Sequence, residues 1–335
     1  MLPAALELGV RIDAAPAELI TLTSQERAGA ARLFPDGTPV DESPHGWARY
    51  VAAVAVELAA MGRPPAGLEG EISSTLPIGT GLSSSAALEI AVAVALCDVA
   101  EFEPEPLQLA LAAQRAEYRA VGVPCGVMDQ AASVLARAGH LLLLDTSSLE
   151  FEHVPFPPEL ALVIVESGVS RRLEHSGYGE RRGELLEGVA ALGGRDVRAL
   201  TVADVAELGL SERASRRLRH VVSENGRVRE AVRALREPTG FDRLGELFRE
   251  GHESLHGDLE VTTPELDLLV DLAYASGAVA ARMTGGGFGG SIVALAAADE
   301  AETISSAIAA AYGARTGHSG RAIVCRPGDG ARELG

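Results

Sequence analysis

Apolar residues along this chain recur at helical spacing in some stretches and at strand spacing in others, which predicts a mixture of helices and sheets. Short strands are predicted over 6–12 and 18–23, joined by a turn near 13–16 that contains Asp13 and Pro16. Residues 47–61 carry an amphipathic helical pattern that stops at Gly62 and Pro64. A strand over 70–76 leads into a helix over 84–99 that is apolar all round and therefore buried. Further helices are predicted over 106–120 and 128–138, separated by a break at Gly122, Pro124 and Gly126. Strands over 140–145 and 161–166 flank residues 151–158, whose three prolines make them the best domain boundary. The chain is then largely helical from 179 to 275 and closes with strands over 278–282, 291–296 and 321–326. It has no tandem repeat and no long low-complexity tract.

The entry to the buried helix carries chemistry. Residues 76–95 read LPIGTGLSSSAALEIAVAVA. Gly79 and Gly81 allow a turn in which main-chain N–H groups approach a phosphate closely. Ser83, Ser84 and Ser85 stand where the helix begins, so its unpartnered N–H groups and the positive end of its dipole favour an anion. One serine hydroxyl there suits Mg2+. The competing explanation is a serine N-cap after a glycine turn, and a glycine pattern alone does not separate the two.

Composition narrows the chemistry. The sequence contains no lysine, which excludes a Walker A loop, the lysine-dependent protein kinases, and Schiff-base enzymes. Charge compensation for a phosphate must then come from Mg2+, arginine and backbone dipoles. With 335 residues and 47 % hydrophobic content, the chain can build one large or two ordinary domains. Its net charge of -18 argues against a duplex nucleic acid or an anionic membrane as partner. Cys97, Cys125 and Cys325 are odd in number and widely spaced, as expected of reduced thiols in the cytoplasm. No secretory leader is recognised, and the longest apolar run, over 90–97, is too short to span a bilayer.

Three further segments bear candidate residues. Residues 124–130, PCGVMDQ, place Asp129 in the first turn of a predicted helix, where the dipole and nearby N–H groups keep a carboxylate ionised. It can complement the dipole only, or it can orient a hydroxyl and accept its proton late, as phosphoryl transfer requires. Glu117, on the preceding helix, is either a solvated face residue or, with Ser84 or Ser85, part of an oxygen-ligand set for Mg2+. Residues 283–291, MTGGGFGGS, hold five glycines in six positions, more than a hairpin needs. They suggest close approach of backbone to a ligand or to the first glycine loop, with Arg282 facing phosphate or solvent. Residues 252–256, HESLH, match the HExxH zinc-hydrolase pattern literally, but Gly251 and Gly257 bracket the motif and would end the helix at its second ligand.

PIGTGLSSSAALE, PCGVMDQ and ARMTGGGFGGS, in this order and spacing, resemble the second motif, the base-bearing segment and the third motif of the GHMP kinase superfamily. Its galactokinase branch matches best, supported by SGVSRRLEHSGYGERRGE at 167–184, RHVVSENGRV at 219–228 and HESLHGDLEVTTPELD at 252–267. The last reassigns HESLH to a family segment without a metal role. The resemblance implies an α+β fold of two lobes, an N-terminal domain like ribosomal protein S5 domain 2 over 1–155 and a ferredoxin-like C-terminal domain over 156–335. It implies phosphorylation of galactose at C1 by ATP and Mg2+, with a sugar and ATP as partners of a monomer or weak homo-oligomer. ATP is expected at Gly79, Thr80, Gly81, Leu82, Ser83, Ser84, Ser85 and Gly286. Ser84, Ser85 and Glu117 are expected near the metal, Asp129 as the catalytic carboxylate, and Gly126 and Tyr178 at the sugar. N-acetylgalactosamine or arabinose as substrate, or a catalytically weak sugar-binding relative, remain open alternatives.

One departure from the family pattern concerns the start. Galactokinases begin with a segment holding an arginine and a GEHTDY signature, whereas this chain begins MLPAALELGV, which resembles the family sequence just after it. Met1 is therefore expected to be an internal GTG valine codon read as a start, or the chain to be a form truncated before that segment. An in-frame arginine and GEHTDY-like stretch in the DNA upstream of Met1 would establish the first expectation.

Overall fold

The computed structural model describes residues 1–77, 81–122, 125–169, 174–237, 240–318 and 320–333; the side chains of residues 174–176 and 178 lie outside that description. The chain divides into two compact units, Met1–Ile78, Ser83–His153 and Pro327–Gly335 forming one and Gly79–Leu82 and Val154–Arg326 the other. The tail differs from the boundaries read from the sequence. Gly139 N–H donates to Pro327 C=O (2.9 Å), and the N–H groups of Gly328, Gly330 and Ala331 bond Ala5, Ala136 and Ser133, so the last residues belong with the first unit.

In the first unit, β1 (Val10–Ala17), β2 (Ile20–Ser24), β3 (Ala30–Leu33) and β4 (Gly67–Ser74) form a mixed sheet in the order β1-β4-β2-β3. β1 runs without interruption through residues 13–16, so no turn occurs there; the reversal lies at Glu18 and Leu19. As an edge strand, β1 tolerates Pro16 because its outer side has no ladder to complete. β3, absent from the sequence reading, has only four residues and one large apolar side chain, too little for a periodic signal.

Among the described residues, four helices cover this unit: α1 (Ala48–Ala60), α2 (Ser84–Asp98), α3 (Pro106–Val121) and α4 (Met128–Leu135). Ile20, Leu22, Leu33, Leu58, Leu68, Val92 and Leu96 share one core, into which α1 packs a largely alanine face. α2 buries Ala86, Glu89, Ile90, Val92, Ala93, Leu96 and Cys97, and its other residues are half-buried except for exposed Asp98. α4 ends at Leu135, three residues short of the predicted 138, because Ala136 turns extended (ψ 156°). Glu57 of α1 is 7 % exposed and accepts from Arg115 Nε (2.8 Å) and from Arg119 Nε and NH2 (3.1 and 2.9 Å) of α3. Burial raises its pKa, but the two guanidiniums outweigh this and hold it below the usual carboxylate range. That clamp fixes α3 against α1. β5 (His140–Leu144) pairs with β6 (Phe151–Pro155), so the proline-rich boundary segment itself contains a strand.

The second unit holds an antiparallel sheet of β7 (Leu160–Glu166), β8 (Ala280–Thr284), β9 (Ser291–Ala297) and β10 (Ala322–Cys325), ordered β10-β7-β9-β8. Its helices are α5 (Glu174–Ala190), α6 (Val202–Ala206), α7 (Glu212–Arg236), α8 (Phe241–Ser254), α9 (Pro264–Ala275) and α10 (Ala301–Thr316). α10 was not predicted, although buried Ile304, Ile308 and Tyr312 repeat every four residues along it. With Leu266, Leu269 and Val270 of α9 they form a core together with Val163, Val165, Ile292 and Ala294 of the sheet.

Arg217 of α7 is a charged residue within this unit's interior, fully buried. Its Nε donates to Glu184 Oε2 at 2.7 Å, and its NH1 and NH2 bond the Asp258 carbonyl and the Glu260 carboxylate. The bond from Arg217 is the main reason the Glu260 carboxyl lies below its ordinary range. A five-residue π-helical turn, Leu255–Leu259, continues α8 and brings Asp258 and Glu260 to α7.

Candidate active site

The helix that follows the glycine loop starts at Ser84, with Ser83 as its N-cap in the left-handed region (φ 53°, ψ 42°). That conformation is uncommon for a residue with a Cβ and costs energy that other contacts must offset. Ser83 does not cap the helix with its side chain. Its hydroxyl instead donates to Asp129 Oδ2 at 2.6 Å, across 46 residues of sequence. This weakens the explanation of the serines as a simple cap, and no side-chain cap satisfies the first N–H groups of α2. Just before it, Gly81 adopts φ 81°. Gly79 and Thr80 lie outside the described residues.

Asp129 occupies the first turn of α4, as the sequence predicted. Two residues along the serine run, Ser85 Oγ donates to Glu117 Oε1 of α3 at 2.8 Å. Ser85, not Ser84, is therefore the serine that meets Glu117. Three helices thus converge: the start of α2 contributes two hydroxyls, α3 a carboxylate, and α4 another. The donor set fits a hard divalent cation, which takes one or two protein oxygens and leaves its remaining positions to phosphate and water. Among the described residues no cluster of three or more histidine, cysteine, aspartate or glutamate side chains offers an all-protein metal cage.

Two residues beneath this surface escaped the sequence reading. Glu89 of α2 is 0 % exposed, and so is Gln130 of α4. Gln130 Nε2 donates to Glu89 Oε2 at 3.0 Å and to Glu117 Oε2 at 2.6 Å. The signal was present: Glu89 is the only acidic or basic side chain in the otherwise apolar stretch 86–97. Burial chiefly, and then the negative charge of Glu117, push the Glu89 carboxyl up to about 8. The folded protein therefore keeps a proton that the unfolded chain releases near pH 4.5. Its contribution to stability is complete below that pH and is lost as pH rises through about 8. Glu89→Gln, which mimics the protonated form, should flatten this dependence by up to about 1.4 kcal/mol per pH unit between pH 5 and 8. Thermal unfolding across pH 5–9 measures this; parallel curves for the two proteins would mean that Glu89 is not protonated in the fold.

Gly126 is exposed, with open space where a Cβ would lie. Tyr178 lies on α5, but its side chain is outside the described residues. Gly286 is exposed and unhindered, whereas Gly287 and Gly289 are the constrained members of the glycine-rich turn. A Cβ on Gly287 would come within 2.3 Å of the Val261 carbonyl oxygen, and one on Gly289 within 2.7 Å of that of Val169. Gly287 and Gly289 thus closely approach the chain's own backbone. Arg282 is half-buried, and its NH1 pairs with Glu224 Oε1 at 2.6 Å. Burial raises the Glu224 carboxyl, but Arg282 and Arg227 more than reverse this and hold it at about 2.

The histidines of HESLH both engage Asp267. His252 Nε2 lies 3.1 Å from Oδ1 and His256 Nδ1 3.0 Å from Oδ2. His252 Nδ1 also accepts the Met283 N–H (3.3 Å), so its proton resides on Nε2 and points at the carboxylate. Burial, opposed by Asp267, holds His252 below the usual histidine range. The pair ties α8 to α9 and β8.

Known proteins similar to this chain identify its family. The family described as GHMP kinases N terminal domain matches residues 49–137, and GHMP kinases C terminal matches residues 228–314. The galactokinase of Streptomyces coelicolor is 38 % identical over 339 residues, covering 96 % of this chain and 87 % of its own. That of Thermococcus kodakarensis is 34 % identical over 334 residues, covering 100 % and 94 %. Among solved structures, Lactococcus lactis galactokinase complexed with galactose superposes with a TM-score of 0.90 at 30 % identity, covering 99 % of this chain and 88 % of that one. A mevalonate kinase at 19 % identity and a TM-score of 0.63 shares the fold. With its α+β architecture of two units and a serine run joined to an acidic residue on each of two further helices, the chain belongs to the galactokinase family of the GHMP kinases.

Proposed function

We propose that this protein transfers the γ-phosphoryl group of ATP to the C1 hydroxyl of galactose, giving galactose 1-phosphate and ADP. The observation that carries this reading is the double pairing of one serine run, Ser83 with Asp129 at 2.6 Å and Ser85 with Glu117 at 2.8 Å. It joins an anion-binding helix start to two carboxylates of separate function. Family relatives named galactokinase, one of them solved with galactose, support the choice of sugar.

In this mechanism the first N–H groups of α2, with Gly79, Thr80, Gly81, Leu82 and the hydroxyl of Ser84, receive the phosphates of ATP, and Gly286 lies along the nucleotide. Ser85 and Glu117 hold Mg2+. When bound, the ion supplies neutralisation of the phosphate charge. Ser83 steadies the Asp129 carboxylate, which faces the C1 hydroxyl; Gly126 and Tyr178 contact the sugar. As the bond from the γ-phosphorus to the bridging oxygen of ADP breaks, the sugar oxygen bonds to phosphorus, and its proton passes to Asp129. The transition state is loose, so this proton transfer comes late and positioning dominates. The three cysteines, Cys97, Cys125 and Cys325, suit a reducing cytoplasm, and no described helix is long and apolar enough to cross a membrane.

ADP release measured with galactose, N-acetylgalactosamine, arabinose and no sugar tests the assignment. Galactose should give the highest kcat/KM; ADP release indifferent to sugar, or a preference for another acceptor, would overturn it. Glu117→Gln should raise the Mg2+ concentration for half-maximal rate by at least about tenfold. An unchanged Mg2+ dependence would remove Glu117 from the metal site.

A further inference from the structure

We propose that Gln130 is a positioning residue that orients the Glu117 carboxylate toward the metal, by dividing its amide hydrogens between Glu117 and the buried Glu89. The inference rests on Glu117 as a metal ligand. Glutamate has three rotatable side-chain bonds, and on an unsupported helix face its carboxylate would sample many orientations. Here both oxygens are tied: Oε1 accepts from Ser85 Oγ at 2.8 Å and Oε2 from Gln130 Nε2 at 2.6 Å. Two contacts on opposite oxygens fix the plane of the group, while each oxygen keeps a second lone pair for a cation.

The amide can stand only one way round. Its nitrogen meets Glu117 Oε2 at 2.6 Å and Glu89 Oε2 at 3.0 Å, and a flip would set its oxygen against the Glu117 carboxylate. Its own oxygen is buried with no hydrogen-bond partner among the described residues, so the orientation serves the two glutamates alone. Gln130 adjoins Asp129 on the same turn of α4, so one helical turn carries the group expected to face the sugar and the group that steadies the metal ligand of α3. A shift of α4 would therefore disturb both halves of the chemistry together. Neither composition nor spacing distinguishes this residue from any other helix glutamine; the three-helix convergence does.

The test compares the full-length wild type with Gln130→Met, which keeps the side chain's length but removes the donor, and with Gln130→Asn, which withdraws the amide from reach. Mn2+ binding in the presence of ADP, followed by electron paramagnetic resonance, reports metal affinity without turnover. Both variants should bind Mn2+ about 10- to 100-fold more weakly, the range for loss of a partner that orients a metal ligand. In the kinase assay the half-saturating Mg2+ concentration should rise in parallel, with the KM for galactose unchanged and kcat recovered at saturating Mg2+. Wild-type Mn2+ affinity in either folded variant, or a loss of kcat that excess Mg2+ does not restore, overturns the proposal. Glu117→Gln is the reference: if it leaves Mn2+ binding intact, the metal-site reading itself fails, whereas weakened binding in Glu117→Gln with normal binding in both Gln130 variants refutes this inference alone.

Discussion

Asp129→Asn is expected to lower galactose-dependent ADP release by about 100- to 10,000-fold, the range spanned by loss of a positioned acid–base group. The substitution is isosteric. The oxygen of the introduced amide can still accept the Ser83 hydroxyl, so the 2.6 Å contact and the left-handed turn at Ser83 should persist. What disappears is the negative charge and the site for the sugar's proton. The expected signature is therefore a collapse of kcat with little change in thermal midpoint or in nucleotide binding. Ser83→Ala sharpens the argument. It leaves the carboxylate charged but without this anchor and places alanine in a left-handed conformation, so a smaller loss of rate should accompany a measurable loss of stability. If Asp129→Asn retained more than about a tenth of wild-type kcat, Asp129 would be a structural partner of Ser83 and not the group that receives the proton.

Replacing Arg217 should produce the largest loss of stability. Its guanidinium is fully buried and links Glu184, the Asp258 carbonyl and Glu260 in one fork. Arg217→Met preserves most of the volume but takes the one fully buried partner from two carboxylates and a carbonyl, a change of the kind that costs about 3–5 kcal/mol when one member of a buried ion pair is removed. For a unit of this size, that should lower the thermal midpoint by roughly 6–20 °C. Arg217→Lys should rescue little, because one ammonium cannot donate along three directions at once. A midpoint within a degree or two of wild type would show that the neighbouring Arg181 and Arg216, which also pair with Glu260, already neutralise the cluster.

These predictions rest on residues of very different legibility. Asp129 and the serine run could be read directly, since each stands in a short segment whose residue types and position at a helix start have a physical meaning, whereas Glu117, late in α3, could equally be a solvated face residue. That α2 packs into the core was equally plain, because an apolar helix has no strongly polar face to offer water. Strand boundaries were less so. The turn expected at residues 13–16 was inferred from Pro16, yet Pro16 lies in an edge strand, and no local signal tells an edge from a turn. Arg282 and the HESLH histidines looked chemically available and proved to be engaged with Glu224 and Asp267.

By itself the sequence determined the chemistry available to this protein: no lysine, a helix start able to take phosphate, and carboxylates and hydroxyls of the right kind. Tertiary structure alone decided which of them meet. Ser83 reaches Asp129 and Ser85 reaches Glu117 across 46 and 32 residues, and Glu89 and Gln130 join them from below. Residue type and local propensity act over a few positions, whereas the pairing of a hydroxyl with one carboxylate and not another depends on how α2, α3 and α4 pack. That packing is set by the whole of the buried surface, including the Glu57 clamp on α3, and so has no signature in any single segment.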